Sequence, residues 1–203
     1  MKIICIGRNY VAHAIELNNA IPGDPIFFLK PDTCILPKNK PFYLPDFSKD
    51  IHHEIELVLK ISKEGKNISE EFAQRYFDSI TVGIDFTARD IQQQQKEKGL
   101  PWEPAKAFDY SSPCGEFIPF NSLKNSTNIN FELLVNGKST QFGNSELMIF
   151  SFSKIISYVS KFVTLRKGDL IYTGTPSGVA AVKEGDKLEC YLEGKKLLEV
   201  NVL

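Results

Sequence analysis

Apolar and polar residues alternate at period two through "HHEIELVLKI" (52–61), so the pattern predicts a strand with Ile55, Leu57 and Leu59 on one face. "TVGIDF" reads as a second, short and buried strand. "FELLVNGKSTQF" reads as a hairpin whose Asn136-Gly137 centre suits a type I′ turn. The stretch from "GDLIYTGTP" to "VNVL" reads as several more strands joined by glycine-containing turns. Helical spacing is scarcer. "NYVAHAIELNN" carries a short helical pattern with Asn9 as N-cap, and "SEEFAQRYFDSI" a helix opened by Ser69. "TARDIQQQQKEKG" predicts a helix capped by Gly99 and stopped by Pro101. "SKIISYVSKFV" places Ile155, Ile156, Val159 and Phe162 on one helical side. Between the first helix and the strands, six prolines from Pro22 to Pro45 forbid a long helix and predict extended pieces with turns. Strands outnumber helices, which predicts a β-rich α+β fold on mixed or antiparallel sheets.

Composition narrows the setting. The chain has 203 residues, 42% of them apolar and 24% charged, which suits one domain with a real core. Residues 1–50, with the prolines and the first helix, form a distinct N-terminal segment of that domain. Lys and Arg number 24 against 25 Asp and Glu, a net charge of −1. That balance gives no support to non-specific binding of nucleic acid or an anionic membrane, which needs a basic face. Four cysteines lie far apart without a CxxC pair, and "MKIICIGRNY" is too short an apolar run for a signal sequence. A soluble cytoplasmic protein with reduced thiols is expected.

Candidate chemistry starts at Glu54 and Glu56. They share one face of the predicted strand, and an isolated pair of this kind ordinarily marks a solvated face. Here Val58 follows on the same side, so the face turns apolar within two residues, as beneath a pocket. Asp85 stands at the end of an apolar strand, where a charge requires a partner. Three oxygen ligands without His or Cys match a hard divalent cation, Mg²⁺ or Mn²⁺. Spacing along the chain leaves open whether Asp85 meets the two glutamates. The glycines of "TGTPSGV" lack the GxxxxGK[ST] spacing of a nucleotide loop.

"GRNYVAH" with Glu16, "HHEIELVL", "GIDFTARDIQ", "KGLPWEPAKAFD", "VNGKSTQFGNSELMIFS" and "GDLIYTGTPSGV" together resemble the fumarylacetoacetate hydrolase superfamily. The similarity is to its short, single-domain acylpyruvase and oxaloacetate decarboxylase branch, from Arg8 to the final strand. It implies a mixed β-roll with few short helices, and a homodimer using Mg²⁺ or Mn²⁺. Carried over residue by residue, the metal ligands fall on Glu54, Glu56 and Asp85. The catalytic pair falls on His13 and Glu16, on a short helix that closes over the site, and the active-site lysine on Lys106. Substrate contacts fall on Gln92 and Thr175. His52 and His53 are taken as structural, because the family does not ligate through their position, and Arg89 and Asp90 as support for the ligands. One departure is Ala180, where relatives often carry glycine.

The implied activity is C–C cleavage of 2-oxo acids through an enolate stabilised by the cation and Lys106: acylpyruvate hydrolysis, oxaloacetate decarboxylation, or both. The alternative on the same site is isomerisation of a 2-hydroxyhepta-2,4-diene-1,7-dioate. A non-catalytic 2-oxo acid binder would have no use for His13 and Glu16.

Overall fold

The computed structural model describes residues 1–203. In chain order, β1 (Lys2–Gly7), α1 (Val11–Glu16) and β2 (Ile26–Pro31) are followed by β3 (Ile51–His53) and β4 (Ile55–Ile61). Next come β5 (Phe77–Ile84), β6 (Thr87–Ala88), α2 (Arg89–Lys98), α3 (Glu103–Lys106) and β7 (Ile118–Pro119). The last third holds β8 (Asn130–Val135), β9 (Lys138–Asn144), α4 (Phe152–Phe162) and β10 (Leu170–Tyr172). It ends with β11 (Ala180–Ala181), β12 (Lys187–Leu192) and β13 (Lys195–Asn201).

Six strands form one sheet in the order β2-β1-β10-β4-β5-β7, mixed because β1 and β10 run parallel while their neighbours are antiparallel. A four-stranded antiparallel sheet, β13-β12-β8-β9, faces it, and β11-β3-β6 form a small third sheet. This is the β-rich α+β architecture that the alternation predicts. Asn136 and Gly137 both take positive φ, 52° and 78°, as a type I′ turn demands.

The main core fills the space between the two large sheets. Leu57, Leu59, Ile80 and Val82 enter it from one side, Phe131, Leu133, Leu188 and Leu192 from the other, and α4 adds Ile155, Ile156 and Val159. The opposite face of β4 is covered as well. Val58 packs there with Ile3, Cys5, Cys34, Leu170 and Tyr172. Both faces of β4 are therefore covered over most of its length, and Glu54 and Glu56 are buried. No helix is long and apolar enough to cross a membrane.

Three local expectations are corrected. "SEEFAQRYFDSI" is not one helix: a 3₁₀ turn spans Glu70–Tyr76 and β5 begins at Phe77. Pairing of Phe77, Ile80 and Val82 with Ile61, Leu59 and Leu57 overrides the local helical pattern. Phe162 is 57% exposed, off the buried stripe of α4. Asn9 does not cap α1, whose N-cap is Tyr10 with no side-chain bond. Its amide instead donates to the carbonyls of Thr173 (2.7 Å) and Phe150 (3.1 Å) and accepts from Phe150 N–H (2.7 Å). Asn9 is a buried clamp joining β1 to the loop after β10.

Candidate active site and metal centre

Register brings the carboxylates together. β4 and β5 pair antiparallel with Ile55 opposite Ile84 and Glu56 opposite Gly83. One step beyond the ladder, Asp85 N–H donates to the Glu54 carbonyl at 2.8 Å. Glu54, Glu56 and Asp85 are at most 4% exposed, and each offers a ligand oxygen within 4.8 Å of the others.

A shell of cations fixes two of the three. Arg89 Nη2 donates to Glu54 Oε1 at 2.5 Å, and Lys106 Nζ to Glu54 Oε2 at 2.7 Å. Lys106 also donates to Asp85 Oδ2 (2.8 Å) and Thr87 Oγ1 (2.6 Å). From the other side Lys30 donates to Asp85 Oδ1 at 2.5 Å and to the hydroxyls of Ser111 and Ser112. Burial pushes the Glu54 carboxyl up, but the charges of Lys106, Arg89 and His13 outweigh it and hold the group well below the usual carboxylate range. Burial likewise pulls Lys106 down, and Asp85 and Glu54 reverse it, so this lysine stays an ammonium.

Glu56 differs. Its bond is from Gly174 N–H, 2.6 Å from Oε2, and no cationic side chain pairs with it. Gly174 takes φ +101°, and a Cβ there would stand 2.6 Å from Asn9 Cβ, so only glycine turns its N–H onto the carboxylate. Burial, then the negative charges of Asp85 and Glu54, push Glu56 well above its ordinary pKa. A buried carboxylate short of a positive partner, beside two more aimed at the same space, is a donor set that fits a hard divalent cation.

Above the carboxylates lies α1. His13 Nδ1 is 3.1 Å from Glu16 Oε2, and Glu16 Oε1 accepts from Gly178 N–H at 2.9 Å. The "TGTPSGV" loop thus holds Glu56 at one glycine and Glu16 at another. His13, Gln92, Lys106 and Thr175 line one cavity with Glu54, Glu56 and Asp85. Glu16 does not reach the cavity wall and touches it only through His13. Gln92 Oε1 accepts from Arg89 Nη1 at 2.6 Å, and Thr175 Oγ1 accepts from Gln141 Nε2 at 2.9 Å. His53 Nδ1 faces Gln141 Oε1 at 2.8 Å, and His52 faces Asp50 at 2.9 Å; neither turns to the carboxylates. Asp90 accepts from Ser48 Oγ (2.6 Å) and Lys49 N–H (3.0 Å) and pairs with none of the three carboxylates' partners.

Sequence reading passed over Lys30 and Gln141. Lys30 ends the apolar run "IFFLK", and a lysine so placed signals a buried partner. Gln141 had no such signal; its role comes from the approach of β9 to β3.

Residues 2–203 match the family model described as fumarylacetoacetate (FAA) hydrolase C-terminal. The mitochondrial oxaloacetate tautomerase of Bos taurus is 43% identical over 193 residues, covering 95% of this chain and 87% of that protein. The mitochondrial oxaloacetate decarboxylase of Dictyostelium discoideum is 43% identical over 194 residues, covering 95% and 89%. Among solved structures, fumarylpyruvate hydrolase from Pseudomonas aeruginosa, in complex with Mn²⁺ and pyruvate, superposes with a TM-score of 0.94 at 36% identity, over 100% of this chain and 89% of that one. The chain belongs to the fumarylacetoacetate hydrolase family of enzymes.

Proposed function

We propose that this chain is a divalent-metal-dependent hydrolase or lyase of 2-oxo acids, with Glu54, Glu56 and Asp85 holding Mg²⁺ or Mn²⁺. The observation that carries the reading is the convergence, in one cavity, of three buried carboxylates with His13, which Glu16 holds from behind. When bound, the cation supplies a Lewis acid for a keto oxygen.

The chain's own residues do the rest. Gly178 holds Glu16, and Glu16 faces His13 Nδ1, which leaves Nε2 for the cavity. In acylpyruvate hydrolysis His13 takes a proton from water as the oxygen attacks the C4 carbonyl. The C3–C4 bond breaks, its electron pair delocalises from C3 onto the C2 oxygen, and C3 is protonated to give pyruvate beside a carboxylic acid. Lys106, kept charged by Glu54 and Asp85, places positive charge where negative charge develops. In oxaloacetate decarboxylation no water attacks; C4 leaves as carbon dioxide and C3 takes the proton. Gln92 and Thr175, each oriented by a neighbour, contact the substrate. α1 acts as a lid on a single catalytic domain.

Isomerisation is the second reading, favoured by the tautomerase relative and by a histidine able to give back the proton it takes. Family resemblance supports a homodimer, and four free thiols support a reducing compartment, the cytoplasm. Acetylpyruvate, oxaloacetate, fumarylpyruvate and a 2-hydroxy-diene-dioate, each assayed with Mg²⁺ or Mn²⁺ and again with chelator, test the proposal. Metal-dependent turnover of at least one is expected. Binding of oxalate with turnover of none makes the protein a binder instead.

A further inference from the structure

The cations around the cavity fall into two groups. Lys30, Lys106 and Arg89 are matched to Asp85 and Glu54. Arg8 and Lys96 line the same cavity but take part in no ion pair. Lys96 Nζ donates to the neutral Asn19 Oδ1 at 3.0 Å, and the Arg8 guanidinium lies 5.9 Å from the centre of the Trp102 ring.

Both are placed by the fold. Arg89, Gln92 and Lys96 succeed one another at i, i+3 and i+7 on α2, so one helical face carries all three along the cavity wall. Arg8 follows β1 with φ +59°, a left-handed conformation that is unfavourable for a residue with a side chain. The clamp made by its neighbour Asn9 with Thr173 and Phe150 holds the kink that sends Arg8 across Trp102. The positive charge is uncompensated: burial, then Arg8 and Arg89, pull the Lys96 pKa down.

We propose that Arg8 and Lys96 seat the distal carboxylate of the substrate, making the site selective for dicarboxylic over monocarboxylic 2-oxo acids. The inference rests on the 2-oxo acid reading above. The near carboxylate and keto oxygen of such an acid belong at the metal end. The far end then runs along α2, where two unmatched cations face a substrate group that carries either a charge or none.

The test is the ratio of kcat/KM for fumarylpyruvate, whose distal carboxylate takes no part in the C3–C4 cleavage, to kcat/KM for acetylpyruvate, which is cleaved in the same way but ends in an uncharged methyl ketone. Charge-assisted bonds of this kind predict that Lys96→Met lowers the ratio about 10–100-fold, mainly through KM for fumarylpyruvate. Arg8→Gln should shift it in the same direction and Lys96→Arg restore it, which loss of structure would not do. A ratio unchanged in both Lys96→Met and Arg8→Gln, or a parallel loss on both substrates, overturns the proposal. Turnover of acetylpyruvate without fumarylpyruvate by the unmodified enzyme overturns it as well, whereas failure of the underlying reading is distinct: the enzyme would then turn over none of the four compounds with Mg²⁺ or Mn²⁺.

Discussion

The floor and the roof of the cavity are built by opposite means. The floor is two paired strands with both faces covered, and its carboxylates are at most 4% exposed and held by lysine, arginine or backbone N–H. The roof is a six-residue helix without a side-chain N-cap bond, with Val11 and Ile15 exposed. A helix this short has no stability of its own and exists through its anchors: Asn9, buried Ala14, and Glu16 on Gly178. The difference matches the proposed division of labour. Ligand oxygens must wait at fixed spacing for an ion, while a general base must move aside for substrate to enter.

Breaking the floor should have the largest effect. Glu56→Ala removes the one proposed ligand with no cation of its own, and is expected to weaken Mn²⁺ binding more than about 100-fold, beyond the 10–100-fold typical of residues that merely support a ligand. Calorimetric titration with Mn²⁺ measures this; unaltered affinity would remove Glu56 from the site. Breaking the roof should separate chemistry from metal. His13→Ala is expected to lower turnover about 10²–10⁴-fold, as for loss of a general base, with Mn²⁺ affinity kept. If the same titration shows His13→Ala losing metal as Glu54→Ala does, the division between floor and roof is wrong.

Lys30 sharpens the contrast through stability. Its ammonium is fully buried against Asp85, Ser111 and Ser112. Lys30→Met strands part of a buried carboxylate and two hydroxyls, at a cost of about 3 kcal/mol in urea unfolding of the metal-free protein. His13→Ala, on the roof, should cost well below that. Equal losses would mean that the helix is as integral to the fold as the strands.

What the sequence showed and hid follows the same line. Period-two alternation announced β4, and Val58 behind two glutamates announced a covered floor. Asp85 could be suspected as a lone charge in an apolar strand, but its meeting with Glu54 depends on strand register across 31 positions, which no local pattern encodes. The helix misread at 69–80 has the same cause, since Phe77 onward is claimed by pairing with β4. Asn9 looked like a cap because asparagine before an apolar helical run usually is one; the loop after β10, far along the chain, takes its amide instead. Lys30 and Gln141 act through distant partners and acquire meaning only once the sheets are assembled.

The smallest effect tests the outer side of the roof. Ile15 is 65% exposed on α1, whose buried residues are His13 and Ala14. Replacing an exposed side chain that contacts little changes stability by within about 0.5 kcal/mol, so Ile15→Ser should melt with the unmodified protein and bind Mn²⁺ equally well. The variant also asks what covers the helix. Should Ile15→Ser lose more than about 2 kcal/mol, the cost expected for burying a hydroxyl without a partner, the outer face is not open to water. A melt that depends on protein concentration, and ceases to in the variant, would assign that cover to a second copy of the chain. The roof would then be braced from outside and far less free to lift, and its contrast with the floor would narrow to the absence of a cap.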